Sequence, residues 1–172
     1  MKKLLCLAIA SLAVCLQAAA GEIAFRQLPH EALPSENVLY LYQDGQGYVW
    51  AVTYQGIVRY DGYDTRLYFT RSAADDYFDN YLHSVIDYDD NSLLVATARG
   101  LFVMDKHSGS VNRIEDEELS NVNVSRMIRD ANGKIWISSD KGVFCRGKGE
   151  DRFTRLGLHD AISVCADERG DI

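Results

Sequence analysis

The chain has 172 residues, of which 47% are hydrophobic and 25% charged, with only two prolines. That is the composition of a folded domain, not of a disordered segment. The formal net charge is −7, and loss of Lys2 and Lys3 with an N-terminal leader would take it to −9. No Lys/Arg cluster offsets this balance, so phosphate backbones are repelled and nucleic acid is not an expected partner.

Residues 1–20 have the form of a secretory signal peptide. Lys2 and Lys3 begin it, Leu4 to Leu16 is an apolar run of 13 residues, and Ala18-Ala19-Ala20 supplies small residues for cleavage before Gly21. The apolar run is short for a bilayer span. Cys6 and Cys15 leave with it, while Cys145 and Cys165 remain. Export makes a disulfide between them chemically feasible. The repeat register places both on strands, where a buried free thiol is the commoner role.

Residues 21–36 are read as a connecting loop preceded by a closing strand. Ala24-Phe25-Arg26-Gln27-Leu28 resembles Arg152-Phe153-Thr154-Arg155-Leu156, an outer strand further along. Three repeat units follow, over 37–80, 81–122 and 123–158, and 159–172 begins a fourth. Trp50, Leu94 and Trp136 fall in register, 44 and 42 residues apart. Thr53, Thr97 and Ser139 come three residues later, and Gly56, Gly100 and Gly142 three after that. Asp44 and Gly47 in the first unit match Asp130 and Gly133 in the third, and Asp61-Gly62 turns toward the first unit's outer strand.

Each unit reads as four short strands punctuated by turn residues. They are expected over 38–43, 48–53, 57–61 and 66–70 in the first unit. In the second they fall near 82–87, 92–97, 101–105 and 111–115. In the third they fall near 124–129, 134–139, 143–146 and 152–156. No stretch after residue 20 sustains a helical period. A period of this length with four strands predicts an all-β partial β-propeller of three four-stranded blades, with a closing strand and the start of a fourth blade. Trp50 and Trp136 are expected to fill the wedges between blades. Three blades and a strand do not close a ring of about four to eight blades. The chain is therefore expected to be a fragment, completed by the rest of its own propeller or by another chain.

The pattern Leu33-Pro34-Ser35-x-Asn37-Val38, with Asp44-x-x-Gly47-x-Val49-Trp50-x-x-Thr53-x-x-Gly56-Ile57-x-Arg59-Tyr60-Asp61-Gly62, resembles the two-component regulator propeller repeat. The second unit departs from it, with Leu94 for Trp and Tyr88-Asp89-Asp90-Asn91 for the Asp-x-x-Gly turn. The resemblance implies the periplasmic sensor region of a hybrid two-component histidine kinase, held at the periplasmic face of a bacterial inner membrane. It also implies a small-molecule ligand, an oligosaccharide above all, and a homodimeric full-length receptor. The alternatives are an exported propeller used as an interaction scaffold without a kinase, and a propeller lyase or glycosidase.

No catalytic residues, cofactor or metal are expected. His30, His83, His107 and His159 are isolated, and no G-x-S-x-G marks a nucleophile. A calcium loop starting at Asp87 would need Gly and Glu where Ser92 and Ala98 stand, so 87–91 reads as a polar hairpin turn. The acidic run 115–118 reads as a solvated loop. Ligand-binding candidates lie on the turns between second and third strands and on the loop joining the first two blades. They are Tyr54, Gln55, Tyr77, Arg99, Asp140 and Lys141, aromatic, amide and charged groups of the kind that hold a sugar.

Signal cleavage gives one direct test. Intact-mass measurement of exported protein should show Gly21 as the N-terminus, and a retained 1–20 segment would refute the leader.

Overall fold

The computed structural model describes residues 27, 33–68, 82–157, 161–167 and 172. The leader, the proposed closing strand apart from Gln27, and the loop carrying Tyr77 lie outside these residues. Twelve strands are present among the described residues. β1 (Val38–Gln43), β2 (Val49–Thr53), β3 (Gly56–Tyr60) and β4 (Thr65–Tyr68) form the first sheet. β5 (Leu82–Asp87), β6 (Ser92–Thr97), β7 (Gly100–Asp105) and β8 (Val111–Arg113) form the second. β9 (Val124–Arg129), β10 (Ile135–Ser139), β11 (Gly142–Arg146) and β12 (Thr154–Arg155) form the third.

Each sheet is an antiparallel meander in sequence order, the topology of a propeller blade. β5 packs against β1 and against β9, so the first strand of each blade is innermost. The blade pattern and the strand positions match the expectation to within a few residues.

Two apolar wedges hold the blades together. Trp50, Val52, Ile57 and Tyr68 of the first blade meet Leu82, Val85, Leu93, Val95, Phe102 and Met104 of the second. Ile86, Leu94, Ala96 and Leu101 on the other side of the second blade meet Met127, Ile135, Ile137 and Phe144 of the third. Alternate residues of β6 therefore serve opposite wedges, and all six of its residues are buried. A strand buried on both faces has no polar side to show, which is why Leu93-Leu94-Val95-Ala96 runs without alternation.

The Thr-x-x-Gly signature has a local cause. The Thr53, Thr97 and Ser139 hydroxyls donate to the carbonyls of Gly56, Gly100 and Gly142 at 2.9, 3.0 and 2.8 Å. The same oxygens accept the amides of Gln55, Arg99 and Lys141. One buried hydroxyl thus closes each tight turn. Gly100 has φ 117°, and a Cβ there would lie 2.8 Å from the Leu119 carbonyl oxygen, so neither the backbone nor the space admits another residue.

One expectation is met in part and one needs correction. Trp50 is fully buried, tilted against Tyr68 at a ring distance of 5.2 Å, but Trp136 is only half-buried. Its indole faces away from the second blade, no sheet among the described residues covers it, and Lys134 Nζ lies 4.4 Å over the ring. The register predicts a strand at Cys165, but this residue is exposed and belongs to no strand, while Cys145 is buried in β11, and both thiols are free. No strand among the described residues offers 161–167 a ladder to join.

Emptying the Trp50 site should be costly. Trp50→Ala is expected to destabilise this chain by about 3–5 kcal/mol, the cost of deleting a buried large aromatic, and Trp136→Ala by less than half of that. Urea denaturation of the two variants decides it, and equal losses would contradict the unequal burial.

Candidate ligand-binding faces

The blades present two ends. At one, the hairpins joining first and second strands come together, as contacts between successive blades show. Gly45 N donates to Asp87 Oδ2 at 2.8 Å, Gln46 Nε2 to the Asp90 carbonyl at 2.8 Å, and Arg129 Nη2 to the carbonyls of Asp87 and Tyr88. The antiparallel meander puts the turns between second and third strands at the opposite end.

The hairpin end is organised by carboxylates. Asp44 Oδ1 accepts the amides of Gln46 and Tyr48 at 3.0 and 2.9 Å, and its Oδ2 accepts the Trp50 indole N–H at 2.8 Å. Asp130 repeats this with Asn132, Lys134 and Trp136. Lys106, a buried residue of the second blade, places Nζ 3.2 Å from Asp44 Oδ2 and 2.7 Å from Asp87 Oδ1. Burial alone would raise the Asp44 pKa, but the hydrogen bonds from Trp50, Lys106 and Tyr48 outweigh it and hold the carboxyl below its ordinary value. Tyr42, whose hydroxyl accepts the Asp87 amide, is pushed up to about 12, chiefly by burial, and stays protonated.

At the turn end the Thr/Ser–Gly frame presents the expected candidates. Tyr54 is 52% exposed, and Gln55, Arg99, Asp140 and Lys141 are also exposed. Tyr77 lies outside the described residues. The second and third of these turns are tied together by the loop 114–123. Arg113 Nη2 donates to the Arg99 carbonyl at 3.0 Å and to Asn121 Oδ1 at 3.4 Å, and Asn123 N donates to Asp140 Oδ1 at 3.0 Å. Among the described residues no hydrogen bond joins the Tyr54-Gln55 turn to the other two.

Three residues at this end escaped sequence reading. The register slips at Leu39, His83 and Ser125, so each innermost strand carries a β-bulge at the same place in its blade. Bulges re-aim side chains and favour the surroundings of functional sites. His83 Nδ1 lies 2.7 Å from the Val124 carbonyl, which can only accept, so Nδ1 carries the proton. A bulge leaves no periodic mark, and comparison of the three blades at this one position would have been the only signal. The turn 88–91 is the polar hairpin expected, with Asp89 Oδ1 accepting the Asn91 amide at 2.9 Å.

Fold and repeat chemistry together define an all-β array of propeller blades. Residues 32–55 and 118–141, around the first hairpins of the first and third blades, match the family model for the two component regulator propeller. None of the curated proteins matches the chain. Among solved structures it is similar to the extracellular domain of the hybrid two component system BT4673 from B. thetaiotaomicron, with 21% identity and a TM-score of 0.66. That match covers 84% of this chain and 22% of the other. The extracellular domain of the hybrid two component system BT3049 from the same organism is similar at 20% identity and TM-score 0.62, covering 79% of this chain and 21% of the other. The chain spans about a fifth of the length of these structures. At this identity the likeness establishes the fold.

The lysine between two carboxylates should leave a trace in acid. A carboxyl with a depressed folded pKa contributes stability above its unfolded pKa, and that contribution is lost as pH falls through the lower folded value. Lys106→Met removes the cation and leaves Asp44 facing Asp87, so the Asp44 pKa rises and stability is lost at a higher pH on acidification. Urea titrations from pH 7 down to 3 should show the acid limb moved upward, and an unmoved limb would show that Lys106 does not hold Asp44 ionised.

Proposed function

We propose that the chain is the N-terminal part of the periplasmic ligand-sensing propeller of a hybrid two-component sensor kinase, non-catalytic in itself, that detects a carbohydrate. The observation that carries this reading is the coincidence of two component regulator propeller repeats with a fold shared by extracellular domains of hybrid two component systems. A leader at residues 1–20 would deliver the chain to the periplasmic face of the inner membrane.

The turn end is the natural ligand face. Its backbone is fixed by the buried hydroxyls of Thr53, Thr97 and Ser139, while the side chains on that frame differ from blade to blade: Tyr54-Gln55, Ala98-Arg99 and Asp140-Lys141. An aromatic surface with charged and amide groups suits an oligosaccharide, which offers flat apolar ring faces and many hydroxyls. A rigid frame with variable contacts lets affinity change without remodelling the fold. Signalling would need the ligand to bind one state of a receptor dimer more tightly than the other, since only differential affinity shifts an equilibrium.

The test uses the full protein and a panel of neutral plant and host oligosaccharides. One of them should bind saturably and raise kinase output. Arg99→Ala and Lys141→Ala should each weaken that binding about tenfold, equivalent to about 1.4 kcal/mol. Output unchanged by deletion of residues 21–172, or a parent protein with no kinase, would overturn the reading.

A further inference from the structure

The two blade interfaces finish differently at the hairpin end, and the difference is confined to residues at equivalent repeat positions. Between the first and second blades this end is sealed by Asp44, Asp87, Met104 and Lys106, where the buried cation sits between two carboxylates and Met104 is fully buried. The same positions between the second and third blades are Tyr88, Arg129, Arg146 and Lys148. The ladders confirm the equivalence: Asp87 pairs with Leu93 as Arg129 pairs with Ile135, and Leu93 pairs with Met104 as Ile135 pairs with Arg146. One carboxylate has become a phenol, the other a guanidinium, and the methionine a second guanidinium.

The result is an open groove in place of a sealed ion cluster. A cavity of about 300 Å³ lies there, lined by Tyr88, Asp89, Asp90, Arg129, Arg146 and Lys148 among others. Arg129 is spent on backbone, donating to the carbonyls of Asp87, Tyr88 and Gly133. Arg146 is held in place but not satisfied. Its guanidinium stacks over the rings of Tyr88 and Phe153, at 4.7 and 5.1 Å, and Nη1 donates to the Tyr88 hydroxyl at 2.9 Å. Its buried Nε has no hydrogen-bond partner. Lys148 is exposed, and none of the three cations has a carboxylate within ion-pair distance among the described residues.

A guanidinium positioned by two rings, its buried Nε short of an acceptor, and an unpaired ammonium line one cavity, groups of the kind that suit an anion. Three cations and two carboxylates, Asp89 and Asp90, line the groove, while the Glu150 carboxylate at its edge is held by the Gly147 amide. We propose that this groove binds a small polar molecule bearing one oxyanion, a carboxylate or sulfate, held by Arg146 and Lys148. Asp89 and Asp90 at the rim accept from its hydroxyl groups. The cavity is at the small end of the range for ligand sites, which limits the occupant to one compact molecule. The site stands independently of the turn-end reading, since it lies at the other end of the blades and shares no residue with it.

The experiment titrates the full protein with sodium D-gluconate and with sodium sulfate by calorimetry at low ionic strength, using sorbitol as the uncharged match. Gluconate or sulfate should bind saturably at one site, with Kd of about 1 mM or tighter, and sorbitol should not. Binding of gluconate alone or of sulfate alone identifies which oxyanion fits. Lys148→Glu, a change at an exposed and unpaired residue, should weaken the binding tenfold or more. Arg66→Glu, an equal charge change on the first blade's outer strand, should leave it unchanged. Absence of saturable binding by both anions, no effect of Lys148→Glu, or equal weakening by both variants would overturn the site. None of these results depends on whether oligosaccharides drive a kinase.

Discussion

Asp44 is the point at which local turn geometry and packing between blades become one problem. Its two oxygens receive four donors: the amides of Gln46 and Tyr48, the Trp50 indole and the Lys106 ammonium. The first two close the hairpin, the third fixes the tryptophan that fills the wedge, and the fourth belongs to the next blade. A carboxylate can be buried this way because each lone-pair direction finds a proton. The third blade rebuilds the first three bonds on Asp130. The second blade loses both halves of the pair at once, with Tyr88 for the aspartate and Leu94 for the tryptophan. Losing one half alone would strand an indole N–H or a carboxylate in the wedge, so the joint replacement is the only inexpensive one.

How much of this was legible in the sequence follows from how far each interaction reaches along the chain. The strands were legible because a repeat states the same local pattern three times, and the Thr-x-x-Gly turn is closed within four residues. The Asp–Trp pair spans six residues and was visible as a motif, although its reason, an indole–carboxylate hydrogen bond, was not. Lys106 was invisible because it meets Asp44 across 62 positions and nothing nearby announces a buried cation. The half-exposure of Trp136 shows the opposite limit: residue type predicted a wedge, but burial depends on what packs against it. Cys165 was misplaced for a related reason, since an apolar β-rich run becomes a strand only when a neighbour offers a ladder.

The candidate faces divide along the same line. At the turn end the backbone is held by buried hydroxyls beneath, so the residues at the tips can differ from blade to blade, although the Asp140 carboxylate also accepts the Asn123 amide. The bulges at Leu39, His83 and Ser125 aim further side chains from the innermost strands near that end. Sequence reasoning could nominate the tips from the turn pattern, but it could not find the bulges, because one extra residue in a strand breaks no hydrophobic rule. The loop 114–123 is a further constraint that only the fold reveals: through Arg113 and Asn123 it links the Arg99 and Asp140 turns, so those two tips keep a fixed relation.

The hairpin end obeys a different economy. There the side chains hold the blades together, and a change must be compensated or it opens the interface. Replacing Asp87 and Met104 by their counterparts Arg129 and Arg146 opens it, yet the third blade stays attached because the apolar wedge beneath is intact. Leu94, Met127, Ile135, Ile137 and Phe144 remain buried below the groove, and Arg146 still stacks on Phe153 through its guanidinium plane. An apolar wedge stabilises in proportion to the area it removes from water and is indifferent to the charges above it. The polar positions can therefore change sign between one interface and the next without loss of the fold, and the chemistry exposed at the end of a blade interface is set by three or four side chains.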